Sequence, residues 1–531
     1  MPDRSEKSTQ PLYRLCGIAS VLLLVYAVLL SVYSVAGFPA SQHTSSSWPW
    51  LGNKPVGEDG FYMLTVADNI ATTHHITYNY GKVATGIQPL STFIFAGVSW
   101  LVHLVHGGTW ALIRAMILEG AILFVCFAWV MAFLVAGMAP RNQYGLVFAI
   151  AFFLTICDYD LFRLFTYGLE TGIYLCLIVA CFWLSIQITR AGTASWKNIG
   201  LLGILGGFAG LARIDFGVPF AILLIFLLYK RIASFVQTLV AGLVALAITS
   251  PWFLFVHSAS GSWMPSSGHA ESRLFTSQDS PRLFAMAKAL LVHTFPWIYS
   301  RLPAKEITLL GAASLLLMAF LLYRAKDTRA WLIARGGYFA IFAPWVVGIV
   351  FFVVIYAALF SVRTFYVRYI SFLFILALPV VALVLAEQPK IAARPAWVIT
   401  PLIAFFAFYC FTTLHRGYLG NNWLIDAGYI HQYYPNAHVA SFQSGTIGYF
   451  DRNVENLDGK LNSGALKAIT EHRMDSYIDE EKIDVLVEWP SYITDILPTA
   501  YIEQKWTPCP HPLPASGAIC LVRKTYSPAI P

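Results

Sequence analysis

The chain is poor in charged residues, which make up only 12% of its 531 positions, against about 25% in ordinary globular proteins. So small a charged share excludes a cytosolic enzyme and a disordered scaffold. The 8 cysteines are too few for a secreted disulfide framework, and none of their spacings suits a zinc site. The sequence also has no Walker loop, no internal repeat and no low-complexity tract.

Hydrophobic residues, by contrast, make up 57% of the chain and gather into runs of membrane-spanning length, about 20 residues each. These runs predict a polytopic α-helical membrane protein with about eleven crossings. They lie near residues 15–35, 111–137, 143–157, 167–189, 198–212, 215–229, 235–256, 306–323, 337–360, 369–386 and 395–413.

Basic residues occupy every second connection between the runs, beginning with Arg4, Lys7 and Arg14 before the first one. By the positive-inside rule, this alternation places the N-terminus in the cytoplasm and, after an odd number of crossings, the C-terminal segment outside. The run at 89–106 would break the alternation if it crossed. We therefore predict that it lies as a helix in the outer interface, within a first external loop at 37–110.

The segment at 414–531 differs from the spanning region at 1–413, since it is charged and contains no spanning run. HVASFQ, DVLVEW and AICLVRK alternate like short strands, and 464–482 reads as helical. The segment is therefore predicted to form a small external α/β domain. Cys509 and Cys520 both fall in it, where an oxidising environment makes a disulfide plausible.

Ionisable groups near the outer ends of the spans indicate a polar cavity, because charge inside a membrane is costly and usually faces a cavity or a partner. Snorkelling at a helix end is the alternative for any one of them. A carboxylate of the Glu58-Asp59 pair at the cavity mouth could act as a general base on a hydroxyl or bind a cation. External arginines could hold a phosphate.

Several motifs, collinear from about residue 55 to 490, resemble the GT-C glycosyltransferase superfamily. Three segments resemble its first external loop: EDGFYML, which begins at Glu58, then ADNIA, and then YNYGKVATGIQPL, which ends at Leu90. GLETG, LARID, WMPSSGHAE and RYI follow in the family's order. GTIGYFD and VENLDGKLN in the tail are similar to the external domain of bacterial members, with the arabinofuranosyltransferase-like branch nearest.

This resemblance implies inverting transfer of a sugar from a polyprenyl-phosphate donor to a glycan, lipid or protein acceptor, on the outer face of a bacterial plasma membrane. Membrane lipids are further partners, and no nucleic-acid partner is predicted. No cofactor is required for such chemistry, although some relatives carry a divalent cation. Glu58 stands where the family has its first Asp, so Asp59 is the predicted base and Glu58 its assistant. Gln88 and Ser266 also depart from the family's usual residues.

The resemblance and the charges together predict a set of site residues beyond Glu58 and Asp59. Those that would grip the donor phosphate or line the cavity are Arg213, Arg363, Arg368 and Tyr369. Further cavity candidates are Glu170, Asp215, Tyr62, Gln88 and His269. For Glu170 and Asp215, a purely structural pairing with the arginines is an equal alternative. Two other functions stay open: an envelope polymerase or ligase that uses lipid-diphosphate oligosaccharides, and a lipid-linked sugar transporter.

Overall fold

The computed structural model of the chain describes residues 4–31, 56–273, 282–324, 336–359, 366–416, 423–510, 513 and 517–526. The predicted site residue Arg363 and the Ser- and Trp-rich start of the first external loop lie outside these ranges. Within them the protein is mostly helical, with a small sheet near the C-terminus.

Apolar helices of 13 to 28 residues coincide with all eleven apolar runs of the sequence. They are α1 (Arg4–Ser31), α4 (Thr109–Ala136), α5 (Tyr144–Ile156), α7 (Thr171–Ala191), α8 (Trp196–Ala212), α9 (Gly217–Tyr229), α10 (Phe235–Ser260), α13 (Ala304–Arg324), α14 (Gly336–Leu359), α16 (Leu373–Ala386) and α18 (Ala396–Arg416). Further helices connect them: α2 (Glu58–Thr73), α3 (Pro89–Leu104), α6 (Tyr159–Phe165), α11 (Ser266–Arg273), α12 (Arg282–Thr294), α15 (Tyr366–Tyr369) and α17 (Pro389–Ala393).

The apolar helices make this a multi-pass membrane protein. Among the described residues, five helices are individually long and apolar enough to cross a membrane, namely α1, α4, α7, α10 and α13. Helices α5 and α6 count as a sixth span if they are taken together across their 63° bend. The polytopic class is thus confirmed, whereas the number of crossings, their direction and the interfacial position of α3 stay predictions.

A continuous apolar core joins α1, α4, α5, α7 and α16, and it is rich in aromatic side chains such as Phe124, Phe148 and Phe162. The other faces of several helices expose large apolar side chains, as α10 does with Leu239, Leu243 and Leu246. In a membrane these faces meet lipid, so their exposure has no hydrophobic cost.

The C-terminal region forms a sheet whose strands are β1 (Val439–Ser441), β2 (Val454–Asn456), β3 (Val485–Glu488), β4 (Trp506–Pro508) and β5 (Ile519–Arg523). The strand order is β2-β1-β3-β5-β4. β1, β2 and β3 are parallel, and β5 pairs antiparallel with β3 and β4. The helices of this region are α19 (Trp423–Tyr433), α20 (Gly445–Phe450), α21 (Ser463–Thr470), α22 (Met474–Glu480), α23 (Pro490–Ile496) and α24 (Thr499–Lys505).

The three segments predicted as strands form β1, β3 and β5, and the stretch predicted as helical, 464–482, corresponds to α21 and α22. The short strands β2 and β4 were not predicted. A disulfide joins Cys509, next to β4, to Cys520 in β5, and the other six cysteines are free. The small C-terminal sheet region is confirmed, while its external location stays a prediction.

The C-terminal region is packed tightly on the first loop. Tyr78 Oη donates to the carbonyl of Ser444 at 2.8 Å, and Asn79 Nδ2 donates to the carbonyls of Gly448 and Val454 at 2.9 Å. Lys82 Nζ reaches Glu481 at 2.6 Å. Because β1 and β2 are parallel, the loops after their carboxyl ends, at 442–444 and 457–461, lie at the same edge of the sheet. That edge faces α2.

Candidate active site

One cavity of about 320 Å³ brings most of the predicted site residues together. Its wall contains parts of seven of the nine motifs from which the resemblance was argued, all except ADNIA and GTIGYFD, and these parts are far apart in the chain. The lining includes Asp59, Tyr62, Gly86, Gln88, Leu169, Glu170, Arg213, Asp215, Met264, Ser267, Tyr356, Arg368, Tyr369 and Lys460.

Asp59 lies in the first turn of α2, and its carboxylate is held by two cations. Lys460 Nζ lies 3.2 Å from Oδ1, and Arg368 Nη1 lies 3.4 Å from Oδ2. Burial alone would raise the pKa of Asp59, but Lys460 and then Arg368 outweigh it and hold the pKa below its ordinary value. The side chain is therefore an ionised carboxylate at neutral pH and still 18% exposed to the cavity.

Lys460 belongs to the C-terminal region and was not among the predicted site residues. It follows β2 in the LDGK turn, where its backbone N–H donates to Asp458 Oδ1 at 2.8 Å. Its carbonyl accepts a hydrogen bond from Ser266 Oγ at 2.6 Å. The sequence did contain a signal, since Lys460 falls inside the VENLDGKLN motif, but nothing in the sequence shows that this turn reaches Asp59.

Gly86 lets the LDGK turn approach the first loop closely. A Cβ added at Gly86 would lie 1.9 Å from the carbonyl oxygen of Lys460, a distance that no side chain can occupy. Gly86 is therefore needed for the contact that positions Lys460 at the cavity.

Arg368 and Tyr369 are the last two residues of the short helix α15, which precedes α16. Arg368 Nη2 donates a hydrogen bond to Tyr369 Oη at 3.2 Å. The guanidinium of Arg213 lies over the Tyr369 ring, 4.6 Å from the ring centre. Tyr369 thus lies between two arginines, where its ring quadrupole stabilises both. Arg368 contacts Asp59, whereas Arg213 does not.

Arg213 is 3% exposed and is neutralised by two carboxylates. Its Nη1 lies 2.9 Å from Glu170 Oε1, its Nε 3.1 Å from Asp215 Oδ1, and Tyr356 Oη donates to Asp215 at 2.6 Å. Helix α8 ends at Ala212 because Arg213 has an extended backbone, with φ −149° and ψ 117°. The break before α9 brings Arg213 to Glu170 and Asp215 to Arg213, which is the structural pairing given above as the alternative role of these carboxylates.

The turn that carries Glu170 depends on Gly168, whose φ of +81° is a conformation that L-residues with side chains rarely adopt. The turn is also crowded, since Gly168 packs against Gly60 of α2, one residue beyond Asp59. The GLETG motif therefore positions the first turn of α2 as well as Glu170.

Glu58 points away from the cavity and binds the C-terminal region. Its carboxyl hydrogen-bonds the backbone N–H of Thr446 at 3.0 Å and the Thr446 hydroxyl at 2.5 Å. Burial, with a smaller contribution from Asp59, raises the pKa of Glu58 to about 8. This neighbour of Asp59 is thus largely protonated at neutral pH and anchors the start of α2 to α20.

Tyr62 lines the cavity but also joins α2 to the sheet edge. Its hydroxyl lies 3.0 Å from the carbonyl of Phe442 and 3.2 Å from Asp458 Oδ2, and it accepts from the Ser444 N–H at 3.1 Å. Burial raises the pKa of Asp458 to about 6. Tyr62 therefore fixes the loops after β1 and β2 relative to Asp59.

Gln88 and His269, the remaining candidates, have different surroundings. Gln88 lines the cavity, and its buried Oε1 has no hydrogen-bond partner within the described ranges. His269 is not part of the cavity wall; its Nε2 lies 3.0 Å from Ser262 Oγ.

A metal site needs several ligands, and the described part of the chain holds no group of three His, Cys, Asp or Glu side chains that could bind one. At the cavity, Glu170 and Asp215 are occupied with Arg213, and Asp59 with Lys460 and Arg368. That no cofactor is required stays a prediction.

Comparison with solved structures identifies the fold. The crystal structure of ArnT from Cupriavidus metallidurans in the apo state is similar, with a TM-score of 0.58, 12% identity, and coverage of 95% of this chain and 97% of that one. The same protein bound to undecaprenyl phosphate gives 0.57 at 13% identity, with the same coverage. This protein has the GT-C fold. The GT-C resemblance read from the sequence motifs is thereby confirmed at the level of the fold.

Other comparisons add little to this. The Archaeoglobus fulgidus oligosaccharyltransferase in the apo form is a more distant match, with a TM-score of 0.49 and 12% identity over 88% of this chain and 69% of that one. No protein-family model and no curated protein sequence matches the chain.

Proposed function

We propose that this GT-C protein is an inverting glycosyltransferase that takes its sugar from a polyprenyl-phosphate donor on the outer face of a bacterial plasma membrane. The observation that carries the proposal is an ionised carboxylate, Asp59, facing a cavity beside two cationic side chains. A general base and a cationic phosphate site are the two elements that such a transfer needs.

In the proposed reaction, an acceptor hydroxyl oxygen attacks the anomeric carbon of the donor sugar from the face opposite the phosphate. The new glycosidic C–O bond forms as the bond between the anomeric carbon and the phosphate oxygen breaks. The bonding electron pair leaves with that oxygen, so polyprenyl phosphate gains one negative charge. The hydroxyl proton passes to an oxygen of Asp59, and the anomeric configuration inverts.

The leaving phosphate is the group on which charge develops, so donors aimed at it lower the barrier. Arg368 is the predicted phosphate residue that lies beside Asp59 in the cavity wall. Its planar guanidinium can form two parallel hydrogen bonds to phosphate oxygens. Arg213, neutralised by Glu170 and Asp215, has in this proposal the structural role of holding Tyr369 and the cavity wall.

Apolar side chains next to these charges suit a donor with a lipid tail. Ile87, Leu169, Val218 and Ile355 line the same cavity as Asp59. The GT-C relative from Cupriavidus metallidurans has been solved with undecaprenyl phosphate bound. We therefore propose the same class of lipid phosphate as carrier. The arabinofuranosyltransferase-like motifs make arabinofuranose the first sugar to test.

Acceptor binding is proposed to involve Gln88. Its Oε1 lies in the cavity wall with no hydrogen-bond partner among the described residues, so it can accept a hydrogen bond from a sugar hydroxyl. A divalent cation is not required in this scheme, because Lys460 and Arg368 already supply positive charge next to Asp59.

The experiment is mass spectrometry of envelope glycans and polyprenyl-phosphate sugars in a deletion strain, and in that strain complemented with the native chain or with Asp59→Asn. Asp68→Asn is the matched control, because Asp68 lies in the same helix and pairs with Arg452 and His103 without lining the cavity. We expect one sugar decoration to vanish in the deletion, its lipid-linked donor to persist, and only Asp59→Asn to fail in restoring it. Unchanged glycans in the deletion would instead favour transport.

A further inference from the structure

The two cations at Asp59 come from two different regions of the protein. Arg368 lies in α15 among the apolar helices, and Lys460 comes from the LDGK turn of the C-terminal sheet region. Both converge on one carboxylate, and Lys460 is delivered there by the Ser266 hydrogen bond and the close approach of Gly86. So specific a delivery indicates a role for Lys460 at the reacting groups.

The contacts themselves are loose. Charge-assisted N–H···O hydrogen bonds are usually about 2.7–2.9 Å long, and Arg452 lies 2.7 Å from Asp68 on the same helix as Asp59. Lys460 and Arg368 instead lie 3.2 and 3.4 Å from Asp59. Because these two contacts are long, little interaction energy is lost when another anion replaces Asp59 as the partner of the two cations. The Arg213 network is tighter, with a contact of 2.9 Å to Glu170.

We propose that Lys460 is a donor-phosphate ligand contributed by the C-terminal region, and that the phosphate displaces Asp59 from both Lys460 and Arg368 when the donor binds. The inference rests on the proposed function. In the empty site Asp59 is the anionic partner of both cations. When the donor arrives, the cations turn to the phosphate and the carboxylate is released.

This exchange has a chemical consequence. A carboxylate that two cations stabilise is a poor proton acceptor, and it becomes a stronger base once they are withdrawn. Asp59 would then become an effective base only when the donor phosphate is in place. The two cations would meanwhile stabilise the charge that develops on the leaving oxygen.

The test is the affinity of the purified full-length chain in detergent for undecaprenyl phosphate, with undecaprenol as the control ligand that lacks the phosphate. Asp59→Asn removes the anion that both cations contact, so we expect it to tighten undecaprenyl phosphate binding about 5-fold or more, a typical coupling between linked sites. Lys460→Met and Arg368→Met should each weaken binding. None of the three should change binding of undecaprenol, and Asp68→Asn should change neither ligand's affinity.

A double-variant cycle separates exchange from simple repulsion between Asp59 and the phosphate. Exchange predicts that the gain from Asp59→Asn shrinks in the Lys460→Met background and shrinks further when Arg368→Met is added. Repulsion predicts an undiminished gain, and that result would overturn the inference. Asp59→Ser, which also removes the carboxylate, replaces Asp59→Asn if the latter does not fold.

The outcome also distinguishes this inference from the proposed function. If the wild-type chain binds undecaprenyl phosphate no better than undecaprenol, both fail. If it binds the phosphate and Lys460→Met has no effect, only the role of Lys460 and the exchange are refuted. Sugar transfer by the wild-type chain would then still support the proposed function.

Discussion

Arg213 offers the most informative single perturbation of the cavity wall. Arg213→Met keeps most of the side-chain volume but removes the cation between Glu170 and Asp215. The Glu170 side chain is only 2% exposed, so its charge would be left buried without its partner at 2.9 Å. Breaking a buried ion pair in this way costs about 3–5 kcal/mol. Because marginal stability is typical of proteins, we expect a large fall in the midpoint of thermal unfolding.

The assay is thermal unfolding in detergent, followed by tryptophan fluorescence. Neutralising the partners as well, with Glu170→Gln and Asp215→Asn added to Arg213→Met, should recover most of the loss, since no uncompensated charge remains. The matched control is Arg473→Met, which removes an exposed pair with Glu471 and should cause no measurable change.

The reasoning would be refuted if Arg213→Met were as stable as the wild type, or if the triple variant were no better than the single one. A stable Arg213→Met that had lost undecaprenyl phosphate binding would show that Arg213 grips the donor phosphate directly. Its pairing with Glu170 and Asp215 would then be incidental.

Three further predictions concern the first loop and the C-terminal region. Gly86→Ala places a Cβ 1.9 Å from the Lys460 carbonyl oxygen and should strongly reduce sugar transfer. Gly97→Ala is the control, because its Cβ would meet no atom within 4 Å, and it should leave transfer unchanged. The rate of sugar transfer in membranes is the measurement for both variants. Glu58 has a pKa raised to about 8, so the folded chain binds its proton more tightly than the unfolded chain. The stabilisation is full below the ordinary pKa of about 4.3, and is lost as pH rises to about 8. Glu58→Gln should flatten this part of the pH dependence in thermal unfolding, and an equally steep curve would contradict it. Finally, Cys509 and Cys520 should react with a maleimide only after reduction, and labelling without reductant would refute the disulfide.

The sequence predicts the positions of the apolar helices well because their signal is local. Each apolar run is long enough to be recognised without its neighbours, and a helix satisfies its backbone hydrogen bonds within the run. The strands β1, β3 and β5 were also visible as alternating apolar segments. The strands β2 and β4, with the residues Val-Glu-Asn and Trp-Thr-Pro, were missed because they carry few apolar side chains and form through pairing with distant residues.

The site was only partly predictable, since its geometry depends on long-range contacts. Asp59, Arg368 and Gln88 lie in recognisable motifs, and the structure brings all three to one cavity. Nothing local shows that Glu58 faces Thr446 while its neighbour Asp59 faces the cavity, because both lie in the first turn of α2. The role of Lys460 was missed for the same reason: it lies 401 residues from Asp59 in the chain.

The most direct test of the central claim uses the donor that accumulates in the Asp59→Asn strain. This lipid-linked sugar would be purified and added to membranes containing the wild-type chain, the Asp59→Asn variant or the Asp68→Asn control, and the release of free polyprenyl phosphate would be measured. We predict release with the wild type and with Asp68→Asn, and none above background with Asp59→Asn. Equal release by Asp59→Asn would contradict the assignment of Asp59 as the base. No release by the wild-type chain would contradict glycosyl transfer itself.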